Sequence, residues 1–285
     1  MSNVIIIGNG PAGISTALYT TRAGIDTTII GKDTGSLGKA SEIENYYGFE
    51  QPISGKDLIQ NGIDQAKRLG AKMLTDEVVG ISYTDKLVVL TKENVYPADS
   101  IVIATGSSRT TPSIKGLKEF EGHGVSYCAV CDAFFYRGKD VAVLGNGEYA
   151  VHEALELLST SNSVTIITNG KEPTTKIPDE IKLNTNKIES LTGDDDVLEK
   201  INFADGSSLS VSGLFIAIGV AGSVDLAKKL GARTENNKIV TDEYMATNIP
   251  GLYAAGDCTG GLLQISKAVY EGALAGTQVI KFLRN

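Results

Sequence analysis

Val4-Ile5-Ile6-Ile7-Gly8-Asn9-Gly10-Pro11-Ala12-Gly13 stands near the start of the chain. Four consecutive apolar residues of this kind read as a strand buried on both faces. The glycines fit a turn from that strand into a helix. Gly8 suits the tight turn, Gly10 the close approach of a pyrophosphate, and Gly13 the close packing of helix on strand. Ile14, Ala17, Leu18 and Thr21 then recur at helical spacing, and Thr27-Thr28-Ile29-Ile30 supplies a second strand. The stretch is a βαβ unit whose helix N–H groups would face phosphate.

The pattern returns at Val141-Ala142-Val143-Leu144, followed by Gly145-Asn146-Gly147-Glu148-Tyr149-Ala150. Val151, Ala154, Leu155 and Leu158 then mark one face of a helix, and Val164-Thr165-Ile166-Ile167 closes the unit. The expected fold is α/β, with two Rossmann-like nucleotide-binding domains. Ile101-Val102-Ile103-Ala104-Thr105-Gly106 and Leu214-Phe215-Ile216-Ala217-Ile218-Gly219 each read as a strand completing one sheet. Gly251-Leu252-Tyr253-Ala254-Ala255-Gly256-Asp257 is a further short strand. A last helix over about 265–282 carries Ala268, Gly272, Ala273 and Gly276 on its packing side, small enough for close approach to a ligand or sheet. The polar stretches 107–112 and 236–238 read as crossing linkers. They divide the chain into a discontinuous first domain, 1–108 plus 240–285, and an inserted domain, 109–239.

The bulk composition agrees. A chain of 285 residues, 42% hydrophobic and 21% charged, suits two globular domains. A net charge of −8 argues against nucleic acid and anionic membrane as partners. No apolar run reaches the roughly 18 residues of a membrane span. No basic leader precedes Val4, so the expected compartment is the cytoplasm.

The cysteines are Cys128, Cys131 and Cys258, too few for a disulfide scaffold. In a reducing compartment Cys128-Ala129-Val130-Cys131 is a redox pair or half of a metal site. Zinc usually takes four ligands, and Cys258, His123 and His152 offer no second pair, so no metal is expected. CxxC spacing places two sulfurs within disulfide reach and lets one thiol lower the other's pKa. Asp132 beside the pair is either a proton carrier for the thiolates or a solvated turn carboxylate. Cys258 reads as a small buried residue.

These motifs, with Phe134-Phe135-Tyr136 after the pair, Gly219 and Pro250-Gly251, resemble the low-molecular-weight flavoprotein thioredoxin reductases in order and spacing across nearly the whole chain. The resemblance implies a homodimer, FAD in the first domain and the redox disulfide in the inserted one. It assigns Cys131 to face the flavin, Cys128 to attack thioredoxin and Asp132 to act as the acid. It places Gly8, Gly10, Pro11, Ala12, Gly13, Lys32, Leu37, Asn45, Val78, Ala104, Thr105, Gly106, Gly256, Asp257, Gln264 and Ile265 at FAD. Asp257 would bond the ribityl chain, with Gln264 and Ile265 near the isoalloxazine ring.

The second glycine motif departs from that family. Where a His-Arg-Arg stretch would hold the 2′-phosphate of NADPH, this chain has Thr168-Asn169-Gly170-Lys171, and no arginine occurs between Arg137 and Arg233. NAD would call for an acid there, which is also missing. Tyr149 would crowd a nucleotide groove, and the segment 170–181, with two prolines, is short for the family's extra helix. These losses resemble the ferredoxin-dependent flavin thioredoxin reductases. A ferredoxin near −400 mV and a thioredoxin near −270 mV leave roughly 130 mV, about 6 kcal/mol over two electrons. An NADPH-dependent reductase with an atypical nucleotide site, or a non-catalytic flavin redox sensor, are the competing readings.

Overall fold

The computed structural model describes residues 2–106, 112–127, 129–219 and 221–285, with Cys131 described through its backbone. Cys128 and most of the expected linker at 107–112 lie outside these residues.

The chain forms two compact units, Met1–Ser108 with Gly222–Asn285, and Arg109–Ala221. The first begins with β1 (Asn3–Ile7), α1 (Pro11–Arg22), β2 (Asp26–Gly31), α2 (Gly55–Arg68), β3 (Lys72–Thr75), β4 (Val78–Tyr83), β5 (Leu87–Thr91), β6 (Val95–Ala98) and β7 (Ser100–Ile103). The second contains β8 (Val125–Ser126), α3 (Ala129–Asp132), β9 (Asp140–Leu144), α4 (Glu148–Leu158), β10 (Ser163–Ile167), β11 (Lys182–Asn184), β12 (Ile188–Asp194), β13 (Val197–Phe203), β14 (Ser208–Ser210) and β15 (Gly213–Ile216). The chain then returns to the first unit with α5 (Ser223–Lys229), β16 (Thr234–Glu235), β17 (Lys238–Ile239), β18 (Leu252–Ala254) and α6 (Ile265–Arg284).

Each unit is built on a five-stranded parallel sheet, in the order β18-β7-β1-β2-β3 and β11-β10-β9-β15-β8. Each also carries a three-stranded antiparallel sheet, β4-β5-β6 or β12-β13-β14. The apolar run Val4 to Ile7 is buried throughout, and Val4 and Ile6 share a core with Ala17 of α1 and Ala275 and Val279 of α6. That two-sided burial is why the strand reads as a continuous apolar run rather than an alternating one.

Three local expectations need correction. Asn236 and Asn237 form no crossing linker. Their φ values of 48° and 57° make them the left-handed pair of the β16–β17 hairpin, whose ends pair Thr234 with Ile239. The second unit therefore ends at Ala221 rather than at 239. α5 instead lies on the first unit, where the Lys229 ammonium donates to the Val79 carbonyl of β4 at 3.4 Å.

On α4 the buried face runs through Ala150, Val151, Glu153, Ala154 and Leu157, while Leu155 is 47% exposed.

Of the small residues of α6, Gly272 and Gly276 approach a helix rather than a sheet. A Cβ at Gly272 would lie 2.2 Å from the Ala12 carbonyl oxygen of α1, and one at Gly276 would lie 2.9 Å from that of Thr16. At this separation the Ser15 and Thr16 hydroxyls of α1 donate to the carbonyls of Val269 and Gly272 at 2.7 and 3.0 Å.

Candidate active site

Ligands of open parallel sheets lie beyond the carboxyl ends of the strands. In the first unit that edge collects Gly8 after β1, Lys32 after β2, Ala104, Thr105 and Gly106 after β7, and Gly256 and Asp257 after β18. Gly8 has φ 111°, and a Cβ there would stand 2.3 Å from the Ala104 carbonyl oxygen. A Cβ on Gly13 would stand 1.9 Å from the Gly8 carbonyl oxygen. Gly10 differs, with nothing within 4 Å of its Cβ position. It is the N-cap of α1 with no side-chain cap, and Pro11 follows at the first helical position. The first rung of the helix is Ile14 N–H to the Gly10 carbonyl at 2.9 Å. The amides of Ala12 and Gly13 lie ahead of it, among the orphan donors of a helix start. Among the described residues the Thr105 hydroxyl, buried at the same edge, has no hydrogen-bond partner.

The other residues expected at the cofactor lie on loops and strand ends of the same unit. Leu37 opens a 3-10 turn, Leu37–Lys39, and its carbonyl oxygen would lie 1.8 Å from a Cβ on Gly55. The Asn45 amide donates to the Gln264 side-chain oxygen at 3.0 Å, which ties that loop to the start of α6 at Ile265. Val78 is buried at the start of β4. Lys32 forms an ion pair with Glu77 at 2.5 Å.

Asp257 begins a second 3-10 turn, Asp257–Thr259. A network not foreseen in the sequence anchors it. The Glu271 carboxylate accepts from Gly256 N–H at 2.8 Å and from the Thr259 hydroxyl at 2.9 Å, and it pairs with Lys267 at 2.9 Å. Lys267 also donates to the Gly256 carbonyl at 2.8 Å. Cys258 is buried there, and its thiol donates to the carbonyls of Ile103 and Ala255 at 3.4 and 3.3 Å. Burial, and then the Glu271 charge, push that thiol up to about 12, so it is a packed residue rather than a reactive one.

In the second unit α3 carries Cys131 beside Ala129 and Asp132, with Cys128 outside the described residues. The Asp132 carboxylate accepts from the Ser126 hydroxyl at 2.6 Å. Ala129 N–H donates to the carboxylate of Glu153 on α4 at 2.8 Å, and Glu153 is 2% exposed. Phe134 and Phe135 stand 71% and 68% exposed, with the Arg137 guanidinium 5.5 Å above the Phe134 ring. Tyr136 packs edge-on to Phe215 at 5.2 Å. Burial, and then Asp132, raise its phenol above the ordinary range.

The second glycine turn is folded like the first but filled differently. Gly145 repeats the close approach of Gly8, its Cβ position lying 2.2 Å from the Ala217 carbonyl oxygen. Gly147, the counterpart of Gly10, faces the Thr174 hydroxyl at 3.2 Å instead of open space. Thr174 donates to the Asn146 carbonyl through both its N–H, at 2.7 Å, and its hydroxyl, at 3.1 Å. The Asn146 amide in turn donates to the Glu172 carbonyl at 2.9 Å. The segment 172–174 thus lies against the turn that would cradle a pyrophosphate. Tyr149 is fully buried and stands in no open groove, so the chain's own loop does the crowding. Residues 170–181 form no helix.

Residues 2–272 match the pyridine nucleotide-disulphide oxidoreductase family. This chain belongs to that family. Within it the similarity runs to thioredoxin reductases over the full length. The thioredoxin reductase of Listeria innocua is 35% identical, covering 99% of this chain and 93% of its own. The solved structure of the atypical thioredoxin reductase TRi from Desulfovibrio vulgaris Hildenborough is 42% identical with a TM-score of 0.93, covering 100% of this chain and 98% of that one. A ferredoxin-flavin thioredoxin reductase from Clostridium acetobutylicum is 29% identical with a TM-score of 0.72, covering 99% and 98%.

Thioredoxin reductases of this family are FAD-dependent flavoproteins. The first unit of this family member fits that group: the space at Gly10, the amides ahead of α1 and the partnerless Thr105 hydroxyl are what a dinucleotide pyrophosphate requires. Among the described residues no helix is long and apolar enough to cross a membrane.

Proposed function

We propose that this thioredoxin reductase takes its electrons from a one-electron protein donor of the ferredoxin type and delivers them, through FAD and the Cys128–Cys131 pair, to the disulfide of thioredoxin. The observation that carries the choice of donor is the contrast between Gly10 and Gly147. One glycine turn is open, and the other is covered by residues 172–174 of its own chain. A nicotinamide dinucleotide would have to displace three hydrogen bonds to reach the second turn, and in Thr168-Asn169-Gly170-Lys171 it would find no arginine for a 2′-phosphate and no acid for a ribose hydroxyl.

The FAD ligands we infer are Gly8, Gly10, Pro11, Ala12, Gly13, Lys32, Leu37, Asn45, Val78, Ala104, Thr105, Gly106, Gly256, Asp257, Gln264 and Ile265. Bound FAD supplies a junction between single-electron delivery and two-electron disulfide chemistry. The amides of Ala12 and Gly13 would hold its pyrophosphate, and the Lys267–Glu271 network would keep Asp257 in place for it. Reducing Cys128–Cys131 breaks one S–S bond and takes up two electrons and two protons. Asp132, oriented by Ser126, carries protons for that change. The Cys128 thiolate then attacks a sulfur of oxidised thioredoxin, and Cys131 resolves the mixed disulfide, leaving thioredoxin as its dithiol. The exposed Phe134 and Phe135 give an apolar face beside the pair for that encounter. The family resemblance also supports a cytoplasmic homodimer.

The test is anaerobic mixing of the flavoprotein with NADPH, NADH or photoreduced ferredoxin while flavin absorbance is followed. Ferredoxin bleaches the flavin and sustains thioredoxin reduction. Rapid bleaching by micromolar NADPH would overturn the donor assignment.

A further inference from the structure

Glu153 is a charged side chain on the buried face of α4, between Ala150 and Leu157, where helix packing favours apolar residues. Its carboxylate accepts the Ala129 N–H at 2.8 Å, and that amide is the peptide link from Cys128 to the helix that carries Cys131. A backbone N–H left free to donate to a neighbouring thiolate stabilises it and so lowers its pKa. Here a buried carboxylate accepts the amide that directly follows Cys128 in the chain, and in its ionised form it would set a negative charge one peptide from that residue. In low-dielectric surroundings such a charge disfavours a nearby thiolate far more than it would in water.

We infer that Glu153 is a positioning residue that fixes the start of α3 and, by occupying the Ala129 amide with a carboxylate, makes the Cys128–Cys131 dithiol a stronger reductant than a neutral acceptor there would leave it. Disfavouring the thiolate destabilises the reduced form of the couple relative to the disulfide. The inference rests on the reading that Cys128 and Cys131 cycle between dithiol and disulfide. The couple balances simply: the pair's S–S bond breaks as dithiothreitol gives up two electrons and two protons and closes to its own cyclic disulfide.

The experiment equilibrates the flavoprotein in dithiothreitol redox buffers at pH 8 and counts free thiols by alkylation and mass. Glu153→Gln keeps an acceptor for Ala129 N–H and removes the charge. Its equilibrium should move about fivefold toward the dithiol, about 20 mV by the relation of roughly 30 mV per tenfold, with flavin content unchanged. Glu153→Asp keeps the charge but shortens the reach, so its equilibrium should stay within twofold of the parent while turnover falls. If Glu153→Gln does not fold, Glu153→Met, similar in length and needing no partner, gives the same reading of the charge. An unmoved equilibrium in the charge-free variant, or equal shifts in the charge-free and aspartate variants, overturns the inference. A parent protein that forms no Cys128–Cys131 disulfide in any buffer defeats the redox reading itself and is recognised separately.

Discussion

Replacing Gly10 by alanine should leave the apoprotein nearly as stable and weaken the flavoprotein. The backbone at Gly10 has φ −77° and ψ −176°, which any L-residue adopts, and a Cβ there meets nothing within 4 Å. Alanine at such a site gains about 0.4–1 kcal/mol because the unfolded chain loses freedom, and loses a similar amount because alanine is a poorer N-cap than glycine. The same methyl enters the space a pyrophosphate needs to reach the amides of Ala12 and Gly13. Losing two charge-assisted hydrogen bonds at about 1.5 kcal/mol each amounts to about 3 kcal/mol, a loss of roughly 150-fold in affinity. Titrating flavin-stripped protein with FAD by fluorescence quenching gives the affinity, and calorimetry of the stripped protein gives its Tm. Gly147→Ala is the internal control, since its methyl meets Thr174 and no cofactor, and it should leave flavin affinity unchanged. An FAD Kd within threefold of the parent for Gly10→Ala would refute the placement of the pyrophosphate; a fall of several degrees in apoprotein Tm would instead refute the open space at its Cβ.

Three further outcomes follow from the geometry. Asp132→Asn leaves an amide oxygen for the Ser126 hydroxyl but no proton carrier, so thioredoxin turnover should fall about a hundredfold at unchanged flavin content; a loss under threefold speaks against the acid role. Cys258 holds its proton up to about 12 in the folded chain, against roughly 8.5 when unfolded. The stability this contributes is complete below that lower value and drains away as the pH climbs toward the higher one, by up to about 1.4 kcal/mol per pH unit. Cys258→Ala should flatten the alkaline loss seen in urea titrations at pH 8 and pH 10; equal slopes in parent and variant count against it. Gly272→Ala drives a methyl to 2.2 Å from the Ala12 carbonyl oxygen and should lower the urea-derived stability by about 1–3 kcal/mol; an unchanged midpoint would mean that α6 can shift off α1.

The parallel sheets were legible because their strands are buried on both faces and so appear as unbroken apolar runs, as at Val4 to Ile7. The first cradle was legible because backbone curvature and close approach admit only glycine at Gly8 and Gly13. What escaped depends on contacts between distant segments. Asn236-Asn237 has the composition of a linker and the torsions of a hairpin, and only pairing across β16 and β17 separates the two. Leu155 keeps the helical period yet faces outward, because α4 is covered on the side of Ala150 and Leu157. The closure of the second glycine turn depends on Thr174 folding back to Asn146, a hydrogen bond with no local signature. Glu153 did leave a trace, a lone acid at i+3 from Ala150 and four before Leu157, which would have marked it as a buried partner for something. The Lys267–Glu271 pair, at i, i+4, was open to reading as an ordinary surface pair until its burial was known.

The sheet edge proposed for the dinucleotide is assembled from both ends of the polypeptide. β18 lies beside β7, and α6 seats its glycines on α1. During synthesis the ribosome therefore releases the whole thiol-bearing unit before the pieces that finish the flavin cradle have emerged. Nascent chains can close Arg109–Ala221 while Met1–Ser108 still waits for its last strand and helix. Cofactor loading becomes a late event in biogenesis, and chains halted before residue 252 should accumulate colourless yet with a folded insert.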